Sequence, residues 1–246
     1  MNKWKESELV RSLVGFFLLF LLFIGLFIFV VPSTHQSSKI AEKIKSIKNE
    51  KVTYVAIGDS LTQGVGDSSN QGGFVPVLSQ ALESDFDWQV TSRNYGIAGN
   101  TSNQILKRVQ EKKDIQRDLK KAKVMTLTVG GNDVIHVIKD NITNLNVDTF
   151  TKPAQAYQKR LGQIIELARK DNKTLPIYIV GIYNPFYLNF PEMTEMQTIV
   201  DNWNQSTEEV CKKYDNVYFV PVNDLLYKGI DGKGGVTSSD LSLIHI

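Results

Sequence analysis

The chain has 246 residues, a net charge of +2, one cysteine and 42% hydrophobic residues. The near-neutral charge excludes a nucleic-acid-binding protein that works by bulk positive charge. The single cysteine excludes an intrachain disulfide framework and a zinc site built on several thiolates.

The first element in the chain is an apolar segment without charged side chains at residues 13–31. As a helix it spans about 28 Å, which is close to the hydrocarbon thickness of a bilayer. Lys3, Lys5 and Arg11 precede it, and the positive-inside rule therefore places residues 1–12 in the cytoplasm. We expect a single-pass transmembrane anchor that holds the rest of the chain outside the cell membrane. The alternative is a secretory signal that is cleaved.

The second element, residues 32–50, is polar and rich in lysine and serine. This composition predicts a tether between the membrane and a folded domain that begins at residue 51. Its lysines could touch anionic lipid headgroups, although a solvated spacer is the simpler interpretation.

Beyond the tether, short β-rich runs alternate with patterns of helical spacing. Strands are predicted at residues 52–57, 88–95, 124–129, 176–181 and 217–222. Helices are predicted at residues 74–82, 105–121, 154–169 and 193–214. Apolar strands separated by amphipathic helices predict a parallel five-stranded sheet with helices on both faces. In such sheets ligands bind at the carboxyl ends of the strands.

The first motif, Gly58-Asp59-Ser60-Leu61, follows the first predicted strand. A serine that leaves a strand and enters a helix presents its hydroxyl at the open edge of the sheet, where free N–H groups favour negative charge. This placement suits a nucleophile whose attack creates an oxyanion. The alternative is that Asp59 or Ser60 merely caps the helix.

Two further motifs follow the second and third predicted strands. Gly99 lies in the segment 94–102, where a glycine lets the backbone approach a ligand closely; the alternative is a plain turn glycine. Asn132 lies in the segment 130–133, Gly-Gly-Asn-Asp, and could offer its side-chain N–H to an oxyanion. The alternative is a turn asparagine, with Asp133 capping the next helix.

Together the three motifs resemble the GDSL lipase/esterase family, also called SGNH hydrolases. The resemblance rests on Gly-Asp-Ser-Leu, Gly-Asn-Thr-Ser and Gly-Gly-Asn-Asp in this order and covers residues 51–240. It implies a three-layer, flavodoxin-like α/β fold with Ser60 as nucleophile. The backbone N–H groups of Ser60 and Gly99 and the side chain of Asn132 would then form the oxyanion hole.

The family also has an Asp-x-x-His after the last strand, in which the histidine is the general base. This chain has three histidines. His35 adjoins the membrane segment, and His245 follows Asp240 by five positions. His136 follows Asp133 by three, but inside the third motif, where local structure is the favoured interpretation. We therefore expect that the catalytic Asp and His are not present in this chain.

The last six residues, 241–246, are expected to be foreign to the protein. Their sequence, Leu-Ser-Leu-Ile-His-Ile, is one reading frame of a transposon mosaic-end sequence used in sequencing libraries. On this interpretation the hydrolase domain at 51–240 is incomplete at its C-terminus.

These observations predict a membrane-anchored extracellular serine ester hydrolase that needs no cofactor and has no nucleic-acid partner. No metal is expected, since Asp67, Asp133 and Asp140 are too scattered to form a site. The substrate is either a lipid-like ester or an O-acetyl group on a polysaccharide. The aromatic residues in 183–190 line an acyl pocket or form a packed loop. The non-enzymatic alternative is a surface binding protein on a disabled hydrolase fold.

Overall fold

The computed structural model describes residues 50–67, 71–185, 187 and 192–228. The predicted anchor at 13–31, the tether up to residue 49 and the proposed foreign segment at 241–246 lie outside the described residues. Within the described ranges, no helix is both long and apolar enough to cross a bilayer.

Five strands form one parallel sheet in the order β2-β1-β3-β4-β5. The strands are β1 (Lys51–Gly58), β2 (Gln89–Gly96), β3 (Ala122–Thr128), β4 (Ile177–Val180) and β5 (Val217–Val220). This strand order is that of flavodoxin-like folds, in which the order reverses beside the first strand. The predicted parallel five-stranded sheet is therefore confirmed.

Helices cover both faces of this sheet, as the sequence predicts. The helices are α1 (Ser60–Gln63), α2 (Phe74–Phe86), α3 (Ser102–Glu111), α4 (Lys113–Lys121), α5 (Gly131–Asp140), α6 (Thr151–Ala168), α7 (Thr194–Cys211) and α8 (Asn223–Lys228), with a 3-10 turn at Val147–Phe150. One face packs on the larger core, and the other packs on α2. Along β1 the side chains alternate accordingly, since Val55 and Ile57 enter the larger core while Tyr54 and Ala56 contact the α2 side.

Helix α6 supplies the apolar face that closes the larger core. Tyr157, Leu161, Ile164, Ile165 and Ala168 recur at helical spacing and are all buried. Each large apolar side chain removed from water in this way stabilises the fold by about 1.5–3 kcal/mol. The buried face predicted from the sequence is confirmed, although the helix begins three residues earlier than expected.

The prediction of one helix over residues 105–121 is wrong, because two helices meet at Lys112. Ile105 and Val109 form the buried stripe of α3, and the next positions on that stripe are Lys112 and Lys113. A continuous helix would direct these ammonium groups into the core, at a large desolvation cost. Extended backbone at Lys112 avoids this cost and starts α4 with a new buried face.

Candidate active site

The three motifs meet at one edge of the sheet. Strand β1 lies between β2 and β3, and all three run in the same direction. The segments that follow them, which contain Ser60, Gly99 and Asn132, are therefore neighbours in space. Such an edge is where parallel sheets bind their ligands.

Ser60 is the first residue of α1, directly after the turn that leaves β1. The side chain of Asp59 caps this helix, because its Oδ1 accepts a hydrogen bond from the N–H of Leu61 at 3.1 Å. Ser60 itself is half-buried, and neither its hydroxyl nor its N–H has a hydrogen-bond partner among the described residues. The capping role thus falls to Asp59 and leaves Ser60 free to meet a ligand.

A buried hydroxyl holds the Ser60 turn from below. The Thr128 hydroxyl donates to Asp59 Oδ1 at 2.8 Å and accepts from the Asp59 N–H at 3.2 Å. It also lies 2.7 Å from the hydroxyl of Thr62. Gly58 makes this approach possible, since a Cβ there would lie 2.1 Å from Thr128 Oγ1. The glycine of the first motif is therefore required by packing against β3.

Gly99 lies in the loop between β2 and α3, where its φ of +77° is in the left-handed region that favours glycine. The loop is attached to the Ser60 turn at two points. The Ile97 N–H donates to Gly58 O at 3.0 Å, and the Ala98 N–H donates to Gln63 Oε1 at 2.6 Å. Its chain neighbours aside, no atom of the described residues lies within 4 Å of where a Gly99 side chain would be, so they leave the space beside this backbone open.

Arg108 braces the same loop from behind, a role that no sequence motif indicated. Its guanidinium donates to Asn100 Oδ1 at 3.1 Å, to Tyr95 O and, more weakly, to Gly58 O at 3.5 Å. Burial lowers the pKa of Arg108, but the guanidinium of an arginine stays charged in proteins. One side chain therefore joins the ends of β1 and β2 to the Gly99 loop.

Asn132 is the second residue of α5, and its Nδ2 donates to Asn100 O at 3.0 Å. An amide nitrogen carries two N–H groups, so this bond fixes the side chain and leaves the second N–H for a ligand. Asn132 and Ser60 line the same cavity. The structure thus places Ser60 and Asn132 together, with Gly99 in the loop that is bonded to both segments.

Asp133 does not cap α5, contrary to one alternative from the sequence, because Gly130 occupies the N-cap position. Its carboxylate instead accepts from the Ser102 N–H at 2.8 Å and from the Ser102 hydroxyl. Arg160 completes the cluster with an ion pair to Asp133 at 3.2 Å. Asp133 and Ser102 are buried and Arg160 is partly exposed. The cluster fastens the start of α3 to α5 and α6.

His136 is exposed and lies beside Asp133, Asp140 and Arg160 in a second pocket. Among the described residues, the Asp133 carboxylate accepts hydrogen bonds from Ser102 and Arg160 and none from His136. Neither Asp133 nor His136 lines the cavity beside Ser60. His35, His245 and Asp240 lie outside the described residues.

A cavity of about 190 Å³ opens beside Ser60 and Asn132. Its walls are mainly aliphatic and come from α5, α7 and the end of β4. Tyr183 and Pro185 from the predicted aromatic pocket also line it, whereas Tyr187 is exposed and stacks on Tyr227 with ring centroids 4.6 Å apart. Residues 186 and 188–191 lie outside the described residues.

Two ionisable side chains of this cavity have shifted pKa values. Burial raises the pKa of Asp59, while the hydrogen bonds from Thr128 and Leu61 oppose the shift. Burial also raises the pKa of Tyr183 to about 12, so its phenol stays neutral at physiological pH. Within the described ranges, no cluster of three or more His, Cys, Asp or Glu side chains could hold a metal ion.

The strand order and the three motifs at adjoining strand ends define an SGNH-like α/β fold. The chain belongs to the GDSL-like lipase/acylhydrolase family, whose model matches residues 56–245.

Two bacterial proteins are similar to this chain in sequence. The chain is 32% identical over 201 residues to the uncharacterized protein YpmR of Bacillus subtilis, and the match covers 81% of this chain and 78% of that protein. It is 30% identical over 138 residues to the spore germination lipase LipC of Bacillus licheniformis, over 54% of this chain and 64% of that one.

Among solved structures, the lipase Lip_vut3 from a goat rumen metagenome superposes with a TM-score of 0.64 at 21% identity. The superposition covers 78% of this chain and 95% of that structure. At this level of identity the likeness shows the fold.

Proposed function

We propose that the protein is a serine ester hydrolase held at the outer surface of the cell membrane by residues 13–31. The observation that carries the proposal is the state of Ser60, whose hydroxyl and N–H have no hydrogen-bond partner among the described residues. It starts a helix at the open edge of the sheet and lines an apolar cavity. Membership of the GDSL-like lipase/acylhydrolase family supports the same reaction class.

In the proposed reaction, Ser60 Oγ attacks the carbonyl carbon of an ester and a C–O bond forms. The serine proton passes to a general base and then to the departing alcohol, as the bond between the carbonyl carbon and the alcohol oxygen breaks. Water then attacks the acyl-enzyme through the same base, which releases the carboxylic acid and restores Ser60. The cycle balances without an oxidant, a reductant or a metal ion.

The oxyanion hole is proposed to consist of three donors. The N–H groups of Ser60 and Gly99 have no partner among the described residues, and the Asn132 amide has one N–H left after its bond to Asn100 O. Arg108 and Asn100 hold the loop and the amide in place before a substrate arrives. One such pre-positioned donor is typically worth a factor of about 10²–10³ in kcat.

The general base is proposed to come from residues beyond those described. His136 is the one imidazole within the described ranges, and it lines a different pocket from Ser60. Its neighbour Asp133 bonds Ser102 and Arg160 and makes no hydrogen bond to His136 among the described residues. A base must come within hydrogen-bond reach of the serine hydroxyl, which the exposed His136 does not.

The test is hydrolysis of nitrophenyl esters by the full chain and by Ser60→Ala, with Ser79→Ala as a matched serine control on α2. Both are assayed with and without added imidazole, because a small base in solution can act where a side chain does not. We expect a Ser60-dependent rate, with a loss of about 10⁶-fold in Ser60→Ala where the enzyme's own base acts. Equal rates for wild type and Ser60→Ala in both conditions would contradict the proposal and favour a surface binding protein.

The proposed location has its own test. Protease added to intact cells should digest the domain, while the same protein remains in the membrane fraction of untreated cells. Deleting residues 13–31 should release the protein from the membrane fraction. Protection from external protease would overturn the extracellular assignment, and a processed form in the medium would favour a cleaved signal.

A further inference from the structure

The cavity beside Ser60 has one polar end and an apolar interior. Ile135 and Ile138 form its wall on α5, and Met196 and Val200 form the facing wall on α7. Spacings of three and four residues place each pair on one helix face. Ile182, after β4, contributes a further aliphatic side chain.

Few polar side chains line the cavity apart from those proposed for the reaction. Asp59 and Thr128 are bonded to each other at 2.8 Å, and Tyr183 is neutral because burial raises its pKa to about 12. Lys139 is exposed and lies at the last turn of α5, away from Asn132 at its first turn. Apart from the neutral Tyr183 phenol and the exposed Lys139 ammonium, the interior is lined by apolar side chains, which disfavours a sugar and favours a hydrocarbon chain.

The volume sets the size of that chain. An engineered apolar cavity of about 150 Å³ in another protein binds benzene, which has six carbons. In proportion, the cavity of about 190 Å³ holds about six to eight carbons. An acetyl group would leave most of it empty.

We propose that this cavity is the acyl-binding site and that it selects esters of medium-chain fatty acids, of about six to eight carbons. The assignment rests on the proposed function, because it places the ester carbonyl between Ser60 and Asn132 with the acyl chain along α5. It favours lipid-like esters over O-acetyl groups. Ile138, about 9 Å along α5 beyond Asn132, lies where such a chain ends.

Binding is measured with Ser60→Ala, which keeps the cavity and does not depend on a general base. Methyl esters of butanoic, hexanoic, octanoic and dodecanoic acid are titrated, and their affinities are obtained from calorimetry. We expect the affinity to rise by about fourfold for each methylene up to about eight carbons, as for full burial of each methylene, and then to stop rising. Affinity that is independent of chain length would overturn the proposal.

Two substitutions at Ile138 move the chain-length limit in opposite directions. Ile138→Trp should fill the distal part, so that octanoate binds at least tenfold more weakly while butanoate is unaffected. Ile138→Ala should extend the limit to longer esters, and it also serves where the larger side chain prevents folding. The matched control is Ile142→Trp, because Ile142 follows α5 and is 75% exposed.

The outcomes separate this proposal from the proposed function. An unchanged chain-length profile in both Ile138 variants overturns the acyl site, even if Ser60 hydrolyses esters. A shifted profile supports the acyl site, and it does so whether or not the ester assay shows a Ser60-dependent rate. Preferred binding and hydrolysis of acetyl esters, with no gain from longer chains, would reassign the substrate to O-acetyl groups.

Discussion

The two sides of α5 face two different pockets. One side presents Asn132 and Ile135 to the cavity beside Ser60, and the other presents Asp133 and His136 to a polar pocket. The Asp133 carboxylate accepts hydrogen bonds from Ser102 and forms an ion pair with Arg160, whereas the Asn132 amide keeps one N–H unused.

This contrast shows why spacing along the chain is insufficient to assign a catalytic pair. Asp133 and His136 have the Asp-x-x-His spacing of the family, yet the carboxylate is consumed in joining three helices. Adjacent residues on a helix point about 100° apart. A residue next to a functional residue therefore belongs to the site only if its own side chain points into it.

Removing the amide of Asn132 tests whether the cavity side of α5 acts in the reaction, and it has the largest expected effect. We expect Asn132→Ala to lower kcat by about 10²–10³, because one oxyanion donor is lost, while KM changes little. Asn103→Ala is the control, since Asn103 is exposed and lines the polar pocket. Steady-state kinetics on nitrophenyl esters provide the measurement, and equal kcat values for the two variants would remove Asn132 from the oxyanion hole.

On the side of α5 that carries Asp133, a substitution should change the stability of the fold. Asp133→Ala leaves the Ser102 N–H, the Ser102 hydroxyl and Arg160 Nη2 without their acceptor. We expect a loss of about 2–4 kcal/mol in the free energy of unfolding, less than for a fully buried pair because Arg160 is partly exposed. Urea unfolding measures it, with the exposed Asp140→Ala expected to change stability by less than about 0.5 kcal/mol.

In that experiment the folded fraction of Asp133→Ala should retain most of its kcat. A loss as large as that of Asn132→Ala, at equal folded concentration, would mean that Asp133 acts on the reaction itself.

The buried hydroxyl of Thr128, next to the Ser60 turn, should affect both activity and stability. Thr128→Val removes the bond to Asp59 and should lower kcat by about tenfold through misplacement of the Ser60 turn. It should also destabilise the fold by about 1–2 kcal/mol. Thr128→Ser should restore kcat because it retains the hydroxyl.

Thr126 provides the matched control for this hydroxyl. It is buried two residues earlier on β3 and is bonded to the Tyr54 hydroxyl at 2.7 Å. Thr126→Val should cost similar stability with little change in kcat. Equal kcat losses in the two valine variants would reduce Thr128 to a merely structural role.

The smallest expected effect concerns pH. Burial raises the pKa of Asp59, so the native state binds its proton more tightly than the unfolded chain does. Its contribution to stability is therefore fully present below the unfolded pKa of about 4 and declines as pH rises through the folded pKa. Asp59→Asn removes this decline and keeps the Oδ1 acceptor for Thr128 and Leu61.

Urea unfolding of wild type and Asp59→Asn between about pH 4 and pH 7 checks this expectation. The variant should gain stability relative to wild type as pH rises. The exposed Asp171→Asn serves as control. A constant difference between Asp59→Asn and wild type across this range would contradict the expectation.

Much of the fold and the site could be predicted from the sequence, because the signals are local. The strands are apolar runs, and Ser60, Gly99 and Asn132 each follow one of them within a short motif. Arg108 and Thr128 could not be found in this way, since their partners lie up to 69 positions away in the sequence. The aliphatic walls of the cavity could not be found either, because they come from two helices far apart in the chain.

The most direct test of the central claim is to locate the covalent adduct that an alkyl fluorophosphonate forms with the full chain. We expect Ser60 Oγ to displace fluoride and to carry the phosphonyl group. Mass spectrometry of the digested protein should find this group on Ser60, and it should be absent in Ser60→Ala. Asn132→Ala should slow the labelling, and His136→Ala should leave it unchanged. An adduct on another residue, or none on Ser60 with added imidazole present, would contradict the account.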